Sequence, residues 1–305
     1  MTVPALTEGA EGRLLVVGAG TMGAQIAQQA ALHGVDVALV DVDAHQLSHA
    51  MAANLEWLER RVDKGKLEPQ AADAAASRVT PMEDLAAAAA ESAWAIEAVV
   101  ENAAVKRDIF AALDAHLPEH AGIATNSSNI VVSRLADATG RPDRCCNMHF
   151  FHPVLVMDLC EVVRGPATSD DTCARAVAWS RRMGRTPIVV EKEIDGFIVN
   201  RILGAASREA FSLLAGGVAS AEDIDIAVRR GLNWPMGPFQ LSDFSGLDTV
   251  LGVRRDRMER EAAPGDVATV AILERLVAAG RLGRKSGRGF YDYGVEPPAP
   301  LPVPD

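Results

Sequence analysis

Basic residues are in short supply in this chain. Its 305 residues include 30 Lys and Arg against 41 Asp and Glu, which gives a formal net charge of −11. A surface with that excess of negative charge repels nucleic acids and anionic lipids. We therefore expect neither a nucleic acid nor a membrane among the partners of this protein.

Long apolar runs and paired cysteines are also missing. No stretch approaches the roughly 20 apolar residues that span a bilayer, and the first residues, MTVPALTEGAEGR, lack the basic and apolar regions of a signal peptide. The four cysteines, at positions 145, 146, 160 and 173, have no C-x-x-C spacing. We interpret them as reduced core thiols of a cytoplasmic protein rather than as disulfides or zinc ligands.

The first two thirds of the chain alternate between strand and helix patterns. RLLVVGAGTMGAQIAQQAALHGVDVALVD is typical of a strand, a glycine-rich turn, a helix and a second strand. Further strands are predicted at WAIEAVV, GIATNSS, CCNMHFF, LCEVV and TPIVVEK, and helices at AAVKRDIFAALDAHL and SDDTCARAVAWSRRMG, where Ser169 is the expected N-cap. This alternation predicts an α/β domain over residues 1–193, with a doubly wound, largely parallel Rossmann-type sheet.

After about residue 193 only helix patterns follow. They are FIVNRILGAASREAFSLLAGG, SAEDIDIAVRRG, LSDFSGLDTVLGVRRDRMERE and DVATVAILERLVAAG. We expect a second, all-helical domain at residues 194–293. The Pro-rich tail at residues 294–305, GVEPPAPLPVPD, is predicted to be disordered.

A dinucleotide-binding turn is predicted at GAGTMG. Its residues are Gly18, Gly20, Thr21, Met22 and Gly23, and the turn lies between a strand and a helix. Gly18 permits the tight turn, Gly20 the approach of a pyrophosphate, and Gly23 the packing of the helix on the sheet. Eighteen residues later an aspartate, Asp41, ends the second strand, where a carboxylate accepts hydrogen bonds from the ribose hydroxyls and repels a 2′-phosphate. The cofactor is thus predicted to be NAD; flavin, or a structural turn without a ligand, are the alternatives.

A second candidate site lies in CCNMHFFHPVLVMDLCEVV. His149 ends one predicted strand and Glu161 lies in the next, with room for a turn at His152-Pro153. A carboxylate against the imidazole fixes its tautomer and stabilises imidazolium, which makes the ring a general base. Oxidation of an alcohol needs such a base, because hydride leaves carbon as the hydroxyl loses its proton. The alternative is a histidine hydrogen-bonded within the core.

With these segments in view, the chain resembles the 3-hydroxyacyl-CoA dehydrogenase family, including its bacterial 3-hydroxybutyryl-CoA dehydrogenases. The resemblance covers nearly the whole chain. It rests on VVGAGTMGAQIAQ, IEAVVENAAVKRDIF, ATNSS, NMHFFHPVLVMDLCEVV, GFIVNR, PMGPFQLSDFSGLDT and AGRLGRKSGRGFYDY, which occur in order.

The resemblance implies roles at matched positions. His149 matches the catalytic base and Glu161 its carboxylate partner. Ser128 matches a serine that hydrogen-bonds the substrate near the nicotinamide, and Asn200 an asparagine that orients the substrate oxygen. Two further residues match cofactor contacts: Glu101 and Lys106. For them a solvated pair at a helix start is the alternative.

Four positions depart from the family pattern. His152 replaces a common Asn, Asp158 a common Lys, and Asp195 a common Pro. On the helix that meets CoA in the family, Lys64 is kept, while Trp57 stands where Ser is frequent. We count Lys64 and His152 among the candidate substrate-binding residues. For His152 and Asp158 neutral drift is the alternative to an altered substrate.

The resemblance implies an NAD-dependent dehydrogenase of a 3-hydroxyacyl thioester, carried by CoA or by an acyl carrier protein, that takes part in fatty acid metabolism. It also implies a homodimer formed mainly through the second domain. Two alternatives remain. One is a dehydrogenase of a free hydroxy acid, of the sugar acid or carnitine type. The other is an NAD-binding or structural protein without activity, against which Ser128, His149, Glu161 and Asn200 together argue.

Overall fold

The computed structural model describes residues 9–260 and 265–304. The segment MTVPALTE, on which much of the signal-peptide prediction rests, lies outside the described residues, as does Asp305 of the tail. By internal contacts the chain divides into two compact units, Met1–Ile198 and Val199–Asp305. Within the described residues, no helix is long and apolar enough to cross a membrane.

The first unit is built on an eight-stranded sheet in the order β3-β2-β1-β4-β5-β6-β7-β8. The strands are β1 Arg13–Val17, β2 Val37–Val40, β3 Val79–Met82, β4 Ser92–Glu97, β5 Gly122–Thr125, β6 Cys145–Phe150, β7 Leu159–Val163 and β8 Thr186–Val190. All neighbouring strands are parallel except β6 and β7, which are antiparallel. The predicted doubly wound, largely parallel sheet is confirmed.

Helices connect these strands. They are α1 Thr21–Leu32, α2 Ala44–Asp63, α3 Pro69–Ser77, α4 Leu85–Ala90, α5 Ala103–His116, α6 Ser133–Ala136 and α7 Asp170–Arg182. Side chains cap several of them: Asn102 accepts from two N–H groups of α5, and Ser169 accepts from Thr172 N at the start of α7, as predicted.

Alternate residues of the central strands pack on opposite faces of the sheet, as the two-residue period of a strand requires. In β1, Leu14 and Val16 belong to one apolar cluster and Leu15 and Val17 to another. The order of the strands reverses between β1 and β4. In an open α/β sheet the crevice at the carboxyl ends of two such strands is the usual ligand site.

The second unit contains the helices α8 Val199–Ala215, α9 Ala221–Gly231, α10 Pro238–Ser245, α11 Leu247–Arg260 and α12 Asp266–Ala278. Its core is centred on three aromatic rings in tilted and edge-to-face contact, Phe211, Phe239 and Phe290, whose centroids lie 4.7–5.7 Å apart. The helical character is confirmed, but the single helix expected over LSDFSGLDTVLGVRRDRMERE is wrong. Gly246 has a φ of +89°, and this left-handed residue separates α10 from α11.

The Pro-rich tail is ordered over its described residues, so the prediction of disorder is wrong there. Two short strands, β9 Tyr291–Asp292 and β10 Ala299–Pro300, pair antiparallel. Leu301 N donates to Phe290 O at 2.8 Å, and Arg281 Nη1 donates to Pro302 O at 2.6 Å. Proline has no backbone N–H to donate, but the tail still pairs with the second unit through the N–H of Leu301 and the carbonyl group of Pro302.

Candidate active site

The glycine-rich turn lies directly after β1, at the point where the strand order reverses. Gly18 has a φ of +103°, and a Cβ there would lie 2.7 Å from Ala98 O. A Cβ at Gly23 would lie 1.8 Å from Gly18 O, whereas a Cβ at Gly20 would meet nothing within 4 Å. Gly18 and Gly23 are therefore required by the fold of the turn, while the space over Gly20 is open.

Asp41 directly follows β2, beside this turn. Its Oδ2 accepts from Ala19 N at 2.7 Å, and its Oδ1 accepts from Asp43 N at 3.1 Å. The N-terminus of α1, at Gly20, Thr21 and Met22, has no side-chain cap. An open turn, a helix N-terminus and a partly exposed carboxylate are the features that hold a pyrophosphate and a ribose. These residues therefore fit a bound dinucleotide.

The predicted contact between His149 and Glu161 is present. The two residues pair directly across the antiparallel strands β6 and β7, and Nδ1 of His149 lies 2.8 Å from Oε2 of Glu161. The imidazole is 6 % exposed and the carboxylate is fully buried. One ring nitrogen is thus engaged by an acceptor, which leaves Nε2 as the nitrogen that can exchange a proton with a substrate.

The segment after β8 completes the surroundings of this pair. Gly196 and Phe197 both have positive φ, of 77° and 46°. The turn directs Ile198 N to Oε1 of Glu161, at 3.1 Å. The ring of Phe197 lies 5.5 Å from that of His149, and the ring of Phe151 lies 4.4 Å from it. A left-handed conformation costs free energy for a residue with a side chain, and here it places a donor against the carboxylate.

Ser128 lies in the loop that follows β5, the neighbour of β6. It is partly exposed, and its Oγ accepts from Asn129 Nδ2 at 3.2 Å. Asn126 of the same loop accepts from Phe150 N at 3.0 Å, which ties the loop to the end of β6. Ser128 and His149 are therefore held at the carboxyl ends of adjacent parallel strands.

Lys106 is buried rather than solvated. It is 1 % exposed, and its Nζ lies 2.7 Å from Oε1 of Glu97 and 3.2 Å from Oε2 of Glu101. This burial excludes the solvated helix-start pair for Lys106. The sequence patterns above do not single out the fully buried Glu97, although an acidic residue inside the apolar run WAIEAVV is a signal for it.

The remaining candidates lie outside this hydrogen-bonded core. His152 and Asp158 are exposed in the loop between β6 and β7, and Lys64 is exposed at the end of α2. The guanidinium of Arg61 lies 5.3 Å from the centroid of the Trp57 ring. In the second unit, Asn200 is partly exposed in the first turn of α8.

A cavity of about 240 Å³ lies between the glycine-rich turn and α2. The turn and α1 contribute Gly20, Thr21 and Gln25 to its lining, and α2 contributes His49, Trp57 and Arg60. It is therefore an open space beside the glycine-rich turn, with basic and aromatic side chains on one wall.

The cysteines carry no nucleophile for this site. All four are free and buried. Burial raises the pKa of the Cys145 and Cys160 thiols to about 12, so both remain protonated at neutral pH, although Cys160 adjoins Glu161. Among the described residues, no group of three or more His, Cys, Asp or Glu side chains is arranged to hold a metal ion.

Comparison with known proteins identifies both parts of the chain. Residues 13–194 match the NAD-binding domain of 3-hydroxyacyl-CoA dehydrogenase, and residues 196–293 match the C-terminal domain of the same family. The chain is 41% identical to a 3-hydroxybutyryl-CoA dehydrogenase of Bradyrhizobium diazoefficiens, over 93% of this chain and 96% of that protein.

Solved structures agree with these matches. The (S)-3-hydroxybutyryl-CoA dehydrogenase of Ralstonia eutropha is 40% identical, with a TM-score of 0.85 over 93% of this chain and 99% of the other. A diketoreductase that acts on dicarbonyl compounds is 32% identical, with a TM-score of 0.83 over 92% of this chain and 99% of the other.

Proposed function

The chain belongs to the 3-hydroxyacyl-CoA dehydrogenase family, and we propose that it oxidises a 3-hydroxyacyl thioester to the 3-oxoacyl thioester with NAD, or catalyses the reverse reduction. The observation that carries this proposal is the buried pair of His149 and Glu161, with Nδ1 and Oε2 2.8 Å apart. Such a pair is what removal of a hydroxyl proton requires.

Each residue of the pair has its own task. His149 takes the hydroxyl proton on Nε2 in oxidation and returns it in reduction. Glu161 holds the tautomer in which Nε2 is free to accept, and it stabilises the imidazolium that forms. As the resemblance implies, Ser128 hydrogen-bonds the substrate near the nicotinamide, and Asn200 orients the substrate oxygen.

The cofactor supplies the redox chemistry: NAD, when bound, accepts the hydride from the carbon that carries the hydroxyl. Thr21 and Met22 present the N-terminus of α1 to its pyrophosphate, and the open space over Gly20 lets the backbone approach it. Asp41 binds the ribose hydroxyls. The exposed Glu101 contacts the cofactor, and the buried Lys106 holds Glu101 in place through their ion pair.

The thioester carrier is CoA or an acyl carrier protein. The cavity beside α2, with His49, Trp57 and Arg60 on one wall, supports a carrier with anionic groups. Lys64, at the end of the same helix, adds a further positive charge near that wall.

The test is steady-state oxidation of NADH by the purified protein with acetoacetyl-CoA, compared with free acetoacetate and other free 2- and 3-oxo acids. We expect kcat/KM for the thioester to exceed that for each free acid by at least tenfold, because the carrier adds binding energy that a free acid lacks. A free acid that is used more efficiently than the thioester contradicts the proposal.

Dehydrogenation of a free hydroxy acid is the second candidate. His152 and Asp158 are exposed in the loop between β6 and β7, where the family commonly has Asn and Lys. Replacing a Lys by Asp disfavours a polyanionic carrier at that position. If the second candidate is correct, the double substitution His152→Asn and Asp158→Lys raises kcat/KM for acetoacetyl-CoA by about tenfold, or roughly 1.4 kcal/mol. An unchanged kcat/KM means that both residues are neutral drift with no role in substrate choice.

We also propose that the protein is a homodimer formed mainly by residues 194–293. Large apolar side chains exposed on this unit support the proposal, among them Ile202, Val218, Leu232, Val253 and Val267. A monomer in sedimentation at micromolar concentration contradicts it. The four free, buried cysteines support a cytoplasmic location.

A further inference from the structure

Glu97 presents a fully buried carboxylate at the carboxyl end of β4. Its Oε1 accepts from Val99 N and from Lys106 Nζ, both at 2.7 Å. Its Oε2 accepts from Thr125 Oγ1 at 2.7 Å. The donors come from the loop after β4, from α5 and from the end of β5, so that one side chain joins three segments.

Two routes lead from this carboxylate to Ser127. In the first, Thr125 Oγ1 accepts from Ser127 N at 3.1 Å. In the second, Lys106 Nζ lies 3.2 Å from Oε2 of Glu101, and Ser127 Oγ donates to Oε1 of Glu101. Both routes therefore end at Ser127, the residue directly before Ser128.

The stability of the fold does not account for a buried ion pair at this place. Removing Glu97 and Lys106 from water carries a large desolvation cost, and an apolar pair of similar volume is often at least as stable. Such a network fixes one arrangement of its side chains, because each polar group in it is hydrogen-bonded to another member. Here the geometry is that of two loops at the cofactor crevice, since Ala98, next to Glu97, packs against Gly18.

We propose that Glu97 is a positioning residue of the dehydrogenase site, which holds Glu101 and the loop of Ser128 in place through Lys106, Thr125 and Ser127. This inference rests on the proposed function, since Ser128 and Glu101 are assigned there to substrate and cofactor. Glu97 itself touches neither.

The test is a double-mutant cycle of Glu97→Gln and Ser127→Ala in the full-length protein. Glutamine keeps the shape of the side chain and removes its charge. We expect each single variant to lower kcat with acetoacetyl-CoA and NADH by about tenfold and to weaken NADH binding about fivefold, because a small displacement of a positioned group is costly in rate. Since both residues act through one network, the double variant should resemble the single variants rather than multiply their effects.

Two measurements and two further variants separate positioning from folding. The melting temperature of each variant reports stability, and rates are expressed per NADH-binding site. Glu91→Gln, at an exposed glutamate just before β4, is the matched control and should behave as wild type. Thr125→Val removes one link without leaving a buried charge unpaired, and it should lower kcat and weaken NADH binding even if Glu97→Gln does not fold.

The inference is overturned if kcat and the NADH dissociation constant of Glu97→Gln both stay within twofold of wild type, or if the two effects on kcat multiply. Should Glu97→Gln fail to fold, wild-type kinetics in Thr125→Val overturn it instead. A wild-type protein without activity on acetoacetyl-CoA refutes the proposed function; the NADH dissociation constants of the variants then decide the inference alone.

Discussion

Replacing Glu161 by Gln tests the base assignment most directly. Oε2 of the carboxylate lies 2.8 Å from Nδ1 of His149, and Oε1 accepts from Ile198 N at 3.1 Å. A glutamine can accept from only one of them. If its oxygen keeps the hydrogen bond from Ile198, its amide donates to Nδ1 and places the imidazole proton on Nε2, the nitrogen that must accept the substrate proton. The charge that stabilises imidazolium is lost as well.

The size of the effect follows from the geometry. Two unit charges about 4 Å apart at an effective dielectric near 20 interact by about 4 kcal/mol, which corresponds to a factor of about 10³ in rate. Relaxation of the site reduces this loss of transition-state stabilisation, whereas the wrong tautomer of His149 increases it. We expect Glu161→Gln to lower kcat by about 10²–10⁴, the range of general base catalysis.

The assay is kcat for oxidation of 3-hydroxybutyryl-CoA at saturating NAD, with the NADH dissociation constant and the melting temperature of each variant as checks. Glu191→Gln, at an exposed glutamate, is the control. His149→Gln should be similarly impaired, and the double variant should be no worse, because the two residues act as a unit. A Glu161→Gln enzyme that retains kcat within threefold of wild type refutes the reasoning.

Three other predictions follow from the same structure. The carboxylate of Asp41 should make kcat/KM with NADPH at least tenfold lower than with NADH, since a nearby like charge costs roughly 1–3 kcal/mol, and Asp41→Asn should narrow the gap; equal use of both cofactors by wild type contradicts this. Gly23→Ala should destabilise the first unit by about 1–3 kcal/mol or more, because its Cβ would meet Gly18 O at 1.8 Å. Gly20→Ala should fold normally but bind NADH more weakly. Equal melting temperatures of the two variants contradict the view that the fold requires Gly23 but not Gly20. Burial raises the pKa of Asp243 to about 6 from the ordinary 3.8, so the folded protein binds this proton more tightly than the unfolded chain does. The contribution of Asp243 to stability should therefore fall as pH rises from 4 to 6, by up to about 3 kcal/mol. The free energies of unfolding of wild type and Asp243→Asn are measured by denaturant titration at both pH values. A difference between the two proteins that is the same at pH 4 and pH 6 contradicts the prediction.

The parts of the site that the sequence predicts are those fixed by local geometry. A glycine-rich turn between a strand and a helix has one backbone solution, and Gly18 adopts the predicted tight turn with a φ of +103°. His149 and Glu161 are twelve residues apart on two strands joined by a short loop, so antiparallel pairing brings them face to face.

What the sequence does not predict depends on partners distant along the chain. The strand β3 at the edge of the sheet contains Pro81, which is typical of edge strands but weakens the strand pattern. The burial of Lys106 is decided by Glu97 on another element. The tail is ordered because carbonyl and N–H groups of the second unit pair with it, and composition alone carries no information on those groups.

The strand β6 explains why the chemistry and the fold are hard to separate here. Met148 and Phe150 face the core, so the period of two places Asn147 and His149 together on the opposite face. The buried Asn147 accepts from Val132 N at 2.8 Å and donates to Ile130 O at 3.0 Å, which fixes the far side of the loop that carries Ser128. His149, two residues on, contacts Glu161. One strand thus sets both the substrate loop and the proposed base, and a shift of its register by a single residue would exchange both polar side chains for apolar ones.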